Sequence, residues 1–314
     1  MILLLQYTLI FASVLMLVAL GGCFAERSGV INIGLEGIMV IGALGGALML
    51  RFLPVGVGSL GMVLACVVAS ALFGMLFSLF LAVAAISFKA DQTITGTAMN
   101  MLATAGATVA VKAMNTAMSG GNDVSSDIAY THTKDLLLVR LGNFEFNWFM
   151  LVAVACLVVS FIVLYRTRFG LRLRACGEHP QAAASVGVDV LKMRYAGVLI
   201  SGLLGGLGGI VYITAGVSVW KFENGVAGFG FLAMAVMIFG GWHPLKIALA
   251  SLLFGFCRAL GNVYSGFDFL AAMNIPSVVY NMLPYIISLV VLAFTSKKSM
   301  GPKAAGIPYD KGTR

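Results

Sequence analysis

Asn32 and Glu36 stand one helical turn apart in a polar island, Ala25-Glu-Arg-Ser-Gly-Val-Ile-Asn-Ile-Gly-Leu-Glu-Gly37, set between two long apolar runs. A carboxamide and a carboxylate are costly to place beside hydrocarbon, so groups of this kind face a polar cavity or a partner and mark a pathway. Gly34 lies between them, and unwound backbone there would present N–H and C=O groups to a solute. A second stretch, Glu223-Asn-Gly-Val-Ala-Gly-Phe-Gly230, echoes the first: both read Gly-Val-x-x-apolar-Gly after a Glu. Paired glycine-interrupted segments in two halves of a chain point to a solute site, and Phe229 falls in the second of them. Thr93-Ile-Thr-Gly-Thr-Ala-Met-Asn100 is polar along an otherwise apolar run. Its hydroxyls are expected to bond back to their own helix, which leaves Asn100 as the cavity-facing donor and acceptor. Asn32, Gly34, Glu36, Asn100 and Phe229 are therefore the expected groups of a polar pathway. Were the solute to move with a proton, Glu36 would be the carboxylate that titrates.

Other chemistry has little to stand on. The chain has no HExxH, GxSxG or Walker A pattern, and His132, His179 and His243 are widely separated. No catalytic residue, metal site or bound cofactor is expected. His243 lies in Gly240-Gly-Trp-His-Pro244, which reads as a tight turn with Trp242 anchored at the membrane interface. The five cysteines show no CxxC pair and read as small hydrophobes, and the 17 methionines as packing filler. Arg258 is an unexpected base in an apolar run, about 12 residues or roughly 18 Å beyond Lys246 along a helix. It is expected to snorkel to the interface or, failing that, to pair with a carboxylate.

The elements that must position these groups follow from composition. The 314 residues are 60% hydrophobic and 10% charged, with a mean hydropathy of +1.00, far above a soluble domain. A helix needs about 20 apolar residues to cross a bilayer. Candidate stretches fall at 2–22, 29–50, 55–87, 93–112, 147–165, 196–217, 225–241, 244–262 and 277–295. The fold class is all-α: one polytopic transmembrane bundle over 1–314, of about eight to ten spans with broken helices. The stretch 55–87 is too long for one simple span and has Gly74 near its middle, where a break or re-entrant element is expected. Gly202, Gly205, Gly206, Gly208 and Gly209, with Gly42 and Gly46, have the small-residue spacing of close helix packing.

Arg166, Arg168, Arg172, Arg174, Lys192 and Arg194 crowd one insert, and Lys297, Lys298, Lys303, Lys311 and Arg314 a tail. Both the insert, 165–195, and the tail, 297–314, are then cytoplasmic. The acidic loop 113–146 is external, and the side of the N-terminus depends on whether 55–87 crosses once or twice. The basic tail reads as a topology signal, so no nucleic acid partner is expected. Leu20-Gly-Gly-Cys23 lacks the basic flank of a signal peptide. Within the insert, Pro180 suits a first helical position, Gln181-Ala-Ala-Ala184 favours helix and Gly187 supplies a left-handed stop, giving a short helix near 180–186. Asp189 then caps the next helix.

Glu26-Arg-Ser-Gly-Val-Ile-Asn-Ile-Gly-Leu-Glu-Gly-Ile-Met39 resembles the N-terminal signature of permease subunits of bacterial ABC importers in the branched-chain amino acid and simple sugar superfamily, particularly its nucleoside branch. Thr167-Arg-Phe-Gly-Leu-Arg-Leu-Arg-Ala-Cys-Gly-Glu-His-Pro-Gln-Ala-Ala-Ala-Ser-Val-Gly187 is similar to that family's coupling loop, with His179 where Asn is usual. Gly228-Phe-Gly230 and Gly241-Trp-His-Pro244 fit its later landmarks. The resemblance implies a membrane-spanning subunit that is not itself an enzyme and resides in the bacterial inner membrane. It implies nucleosides as substrate, with simple sugars as the alternative; a proton-coupled carrier is the reading from a different class. The implied partners are two cytoplasmic ATP-binding subunits or a fused ATPase, a second and longer permease, an external substrate-binding lipoprotein and membrane lipid. Arg172, Arg174, Gly177, Glu178, Pro180, Ala183 and Gly187 would form the coupling contact, and ATP would bind on the partner chain.

Overall fold

A computed structural model describes residues 2–142, 144–215, 217–267, 276–295 and 301–310. Lys297, Lys298, Lys311, Arg314 and Asp268 lie outside the described residues. In chain order the helices are α1 (Ile2–Arg27), α2 (Leu35–Phe52), α3 (Gly58–Ala82, prolonged by a π turn over Val83–Ser87), α4 (Gln92–Ser119), α5 (Thr131–Lys134) and α6 (Trp148–Arg166). They continue as α7 (Arg168–Glu178), α8 (Pro180–Ser185), α9 (Val190–Ile213), α10 (Phe229–Phe239), α11 (Pro244–Val263) and α12 (Ser277–Thr295). Four short strands, β1 (Asp127–Ala129), β2 (Leu138–Leu141), β3 (Phe144–Asn147) and β4 (Val219–Lys221), make two antiparallel pairs, β1 with β4 and β2 with β3. They close one end of an otherwise all-α bundle.

Helix boundaries have local causes. Asp91 caps α4 by accepting from the N–H groups of Thr93 and Ile94, and Gly120, at φ +64°, stops it. Leu53 is extended before Pro54 and ends α2. Seven helices among the described residues are long and apolar enough to cross a membrane: α1, α2, Val55–Ser87, α4, α6, α9 and α11. The expected break at Gly74 is absent. Residues 58–82 form one continuous helix, and Gly74 instead packs against α9, where a Cβ would lie 2.3 Å from Gly202 O. The broken element is α10, whose 11 residues span about 16 Å, half a bilayer core.

The glycine stripe of α9 explains the core. A Cβ at Gly42 would lie 2.2 Å from Gly206 Cα, and one at Gly209 would lie 1.9 Å from Met39 O. Backbones of α2, α3 and α9 therefore meet directly, the arrangement that replaces hydrophobic burial in lipid. Outward faces carry Leu64, Phe80, Met101, Val109 and Val158, all exposed, as a lipid-facing surface requires.

The bundle has two ends. Leu3 of α1 lines a crevice with Lys134, Leu138 and Glu145, so the start of the chain lies with the 113–146 loop. The other end of α1 reaches the basic insert, Arg27 pairing with Glu178 at 3.6 Å. Residues 58–87 run on as one helix with a π turn at its end, so they count as a single candidate span, and the start of the chain lies at the end opposite the insert.

Candidate functional site

The two glycine-rich segments meet, and Glu36 joins them. Its Oε1 accepts from Gly228 N–H at 2.7 Å and its Oε2 from Gly230 N–H at 2.6 Å. Gly228, at φ +79°, caps the start of α10, and a Cβ at Gly230 would lie 2.5 Å from Glu36 N. Only glycine permits this approach. An anion at a helix N-terminus is favoured by the dipole and satisfies N–H groups that have no helical partner. Such charge-assisted bonds contribute about 1.5–3 kcal/mol each. Glu36 is thus committed as an acceptor at the start of a half-helix inside the bundle. The sequence echo is not a conformational repeat: Gly29 precedes α2 by a six-residue loop, whereas Gly225 precedes α10 by four.

Asn100 holds the same loop from the α4 side. It donates to Ile33 O at 3.0 Å and accepts from Gly37 N–H at 2.8 Å. Gly34 is the residue before α2, and α4 approaches it so closely that a Cβ at Gly96 would lie 2.8 Å from its nitrogen. Asn32 is 1% exposed and donates to Ser201 Oγ on α9 at 2.9 Å. In this conformation it tethers the loop and faces no open space. The Thr95 and Thr97 hydroxyls bond back to Asp91 O and Thr93 O, as expected.

Phe229 is buried in an aromatic cluster, 4.5 Å from the Tyr212 ring and 5.7 Å from Phe11. Arg258 points into that cluster and does not snorkel. Its guanidinium lies 5.8 Å from the Phe11 ring and 5.6 Å from Phe229, and Nη1 donates to Asn281 Oδ1 on α12. Aromatic faces and an amide supply inside the bundle what the interface would otherwise supply. Tyr285 Oη donates to Ala227 O at 3.2 Å, closing α12 over the loop before α10. Pattern reading missed Tyr212, Asn281 and Tyr285, which no local motif marks.

At the basic end the short helix α8 forms with Pro180 at its first position and His179 before it, whose side chain makes no cap bond. Gly187 has φ +84° and Asp189 accepts from Lys192 N–H at 3.1 Å, as the residue types require. Gly177, Pro180 and Ala183 are buried, whereas Arg172, Gly187 and the flanking Leu171 and Val186 are exposed. A Cβ at Gly177 would lie 2.4 Å from Arg27 O. Arg174 stacks over Tyr165, 4.6 Å from its ring. Leu171 and Val186, 63% and 78% exposed, escaped sequence reasoning because apolar residues are unremarkable in this chain.

Trp242 is buried at 7% exposure and donates to Glu26 Oε2 at 2.6 Å. It locks the α10–α11 turn to α1 and is no interfacial anchor. Burial, with Lys246 and Arg27 nearby, holds the His243 imidazole below its usual range, consistent with a turn residue. At the opposite end, Lys112 binds Glu223 at 2.6 Å and lowers its carboxyl below the ordinary range.

Against known proteins, residues 4–294 match the family model described as branched-chain amino acid transport system / permease component. The chain is 41% identical over 311 residues to the guanosine ABC transporter permease protein NupQ of Bacillus subtilis (strain 168), covering 98% of this chain and 96% of that one. It is 38% identical over 308 residues to the nucleoside ABC transporter permease protein NupC of Lactococcus lactis subsp. cremoris (strain MG1363), covering 96% and 95%. A further relative from that strain, the nucleoside ABC transporter permease protein NupB, is 24% identical over 314 residues, covering 96% of this chain and 82% of its own. On these matches the chain is a multi-pass membrane protein that belongs to the permease-component family of branched-chain amino acid transport systems.

Proposed function

We propose that this chain is the membrane-spanning permease subunit of an ATP-driven importer and forms half of a translocation pathway for nucleosides. The near full-length identity to two permeases named for guanosine and nucleosides carries this reading. The basic end is cytoplasmic, the membrane is the bacterial inner membrane, and ATP is hydrolysed on two separate ATP-binding subunits or a fused ATPase. The occurrence of NupB and NupC in one strain supports a second, paralogous permease as partner, and an external binding lipoprotein delivers the solute.

In this scheme the ATPases push on α8 through its exposed face. The loop 28–34, Glu36 and the start of α10 move with it, and Asn100, Phe229 and Arg258 line or brace the route. This is alternating access by rigid-body rocking around broken helices near the midplane. The two backbone N–H groups that meet the Glu36 carboxyl support its reading as an anchor of the α10 start over that of a proton carrier.

The test is uptake of radiolabelled guanosine, adenosine, uridine and ribose by vesicles carrying this chain with its partner subunits. ATP-dependent nucleoside accumulation that survives an uncoupler is the expected result. Accumulation of ribose alone would reassign the substrate to sugars; uptake without ATP that an uncoupler abolishes would make it a proton-coupled carrier.

A further inference from the structure

Residues 302–310 have no part in the scheme above, yet three regions of the protein clasp them. Ala304 N–H donates to Gly177 O at 2.8 Å, and Gly306 N–H to Gly29 O at 3.3 Å. Arg194 Nη1 donates to Ile307 O at 2.9 Å. Tyr309 packs with Cys176, Ala183 and Val190 in an apolar cluster separate from the main core. Lys89, just beyond α3, pairs with Asp310 at 3.1 Å. Gly306 has φ +80°, and a Cβ there would lie 2.9 Å from Ile31.

The identity of these partners gives the segment its meaning. Cys176, Gly177 and Ala183 belong to the coupling loop; Gly29 and Ile31 belong to the α1–α2 loop, which leads through Asn32 to Glu36. Among the described residues the end of α1 meets the coupling loop through the part-exposed Arg27–Glu178 pair at 3.6 Å and through Gly177 against Arg27 O, and Gly29 lies against the Arg194 guanidinium, with a Cβ there 2.9 Å from Nη2. Exposed ion pairs transmit little force because water and side-chain freedom compete with them. The segment adds backbone hydrogen bonds across the same gap, together with a buried apolar anchor. Arg194, 1% exposed, fixes its middle through Nη1, while its Nε and Nη2 are buried without a hydrogen-bond partner among the described residues.

We propose that residues 302–310 are a strap in the coupling machinery: they make the coupling loop and the α1–α2 loop move as one body, so that a push on α8 reaches Glu36 and the start of α10. This rests on the importer reading. Ala304 and Arg194 are then positioning residues, acting through the loops they join.

The test uses the full chain with its partner subunits in vesicles, measuring subunit assembly, ATP hydrolysis and guanosine uptake together. Ala304→Pro removes the N–H given to Gly177, Arg194→Met removes the donor to Ile307 O, and Arg194→Lys keeps a cationic donor. Both disruptive variants are expected to assemble and hydrolyse ATP while guanosine accumulated per ATP falls about tenfold, a usual size for coupling between sites; Arg194→Lys recovers most of it. At the exposed Lys89–Asp310 pair, where folding is not at stake, Asp310→Lys sets like charges side by side and is expected to lower the same ratio only about twofold, as befits an exposed pair, with Lys89→Glu restoring it. An unchanged ratio in these variants, with uptake and hydrolysis falling together, overturns the strap. Vesicles of the unmodified complex that hydrolyse ATP without accumulating any nucleoside or ribose would defeat the importer reading itself, and the strap with it.

Discussion

Glu36 shows how one residue changes meaning between sequence and structure. Its type and surroundings mark a functional position, and the structure adds that its two carboxyl oxygens meet the N–H groups of Gly228 and Gly230. Glu36→Gln places an amide where two acceptors are needed and is expected to cost about 2 kcal/mol of stability. Thermal unfolding of the detergent-solubilised protein measures that loss. Guanosine uptake should fall several-fold while its insensitivity to an uncoupler is retained; a new dependence on the proton gradient would contradict the assignment. Arg258 and Trp242 teach a related lesson. Snorkelling and interfacial anchoring are sound defaults for such residues, but Phe11, Phe229 and Asn281 in one case and Glu26 in the other provide partners inside. Those partners are 23 to 247 positions away in the sequence, beyond the reach of any local pattern.

At the scale of elements, the short helix of the basic insert was legible almost residue by residue. Proline at its first turn, an alanine run, a left-handed glycine and an aspartate cap are local devices, and local devices act wherever the segment is placed. Gly74 was misread because glycine both breaks and packs helices, and only the presence of Gly202 and Gly206 opposite decides between these. The packing reading has a direct consequence. In Gly209→Ala the new methyl meets Met39 O on α2, and overpacking of this kind is expected to cost about 1–3 kcal/mol. A lowered melting temperature with reduced yield of folded protein checks it, whereas alanine at Gly106, which has open space around it, should be tolerated.

For the whole molecule, the placement of charge implies an orientation, and the fold sets the basic insert and the acidic loop at opposite ends of the bundle. Asp123 and Arg172 are exposed at opposite ends of the bundle. With the basic end inside, a cysteine at Asp123 is expected to react with a membrane-impermeant thiol reagent in intact cells, and one at Arg172 only after permeabilisation. The reverse pattern would invert the topology and remove the ATPase from reach of α8. The native thiols do not obscure the assay: Cys23, Cys66, Cys176 and Cys257 are buried and Cys156 partly so.

The sequence by itself determined that this chain lives in a bilayer, where its basic residues cluster, where the short helix after Pro180 begins and stops, and which family it resembles, because hydropathy, charge and capping are properties of contiguous residues. The tertiary structure decided that two glycine segments nearly two hundred residues apart meet at Glu36, that α10 and not 55–87 is the broken element, and that the segment 302–310 bridges two loops. Each of these depends on close approach between distant backbones, and that approach is set by the packing of the whole bundle.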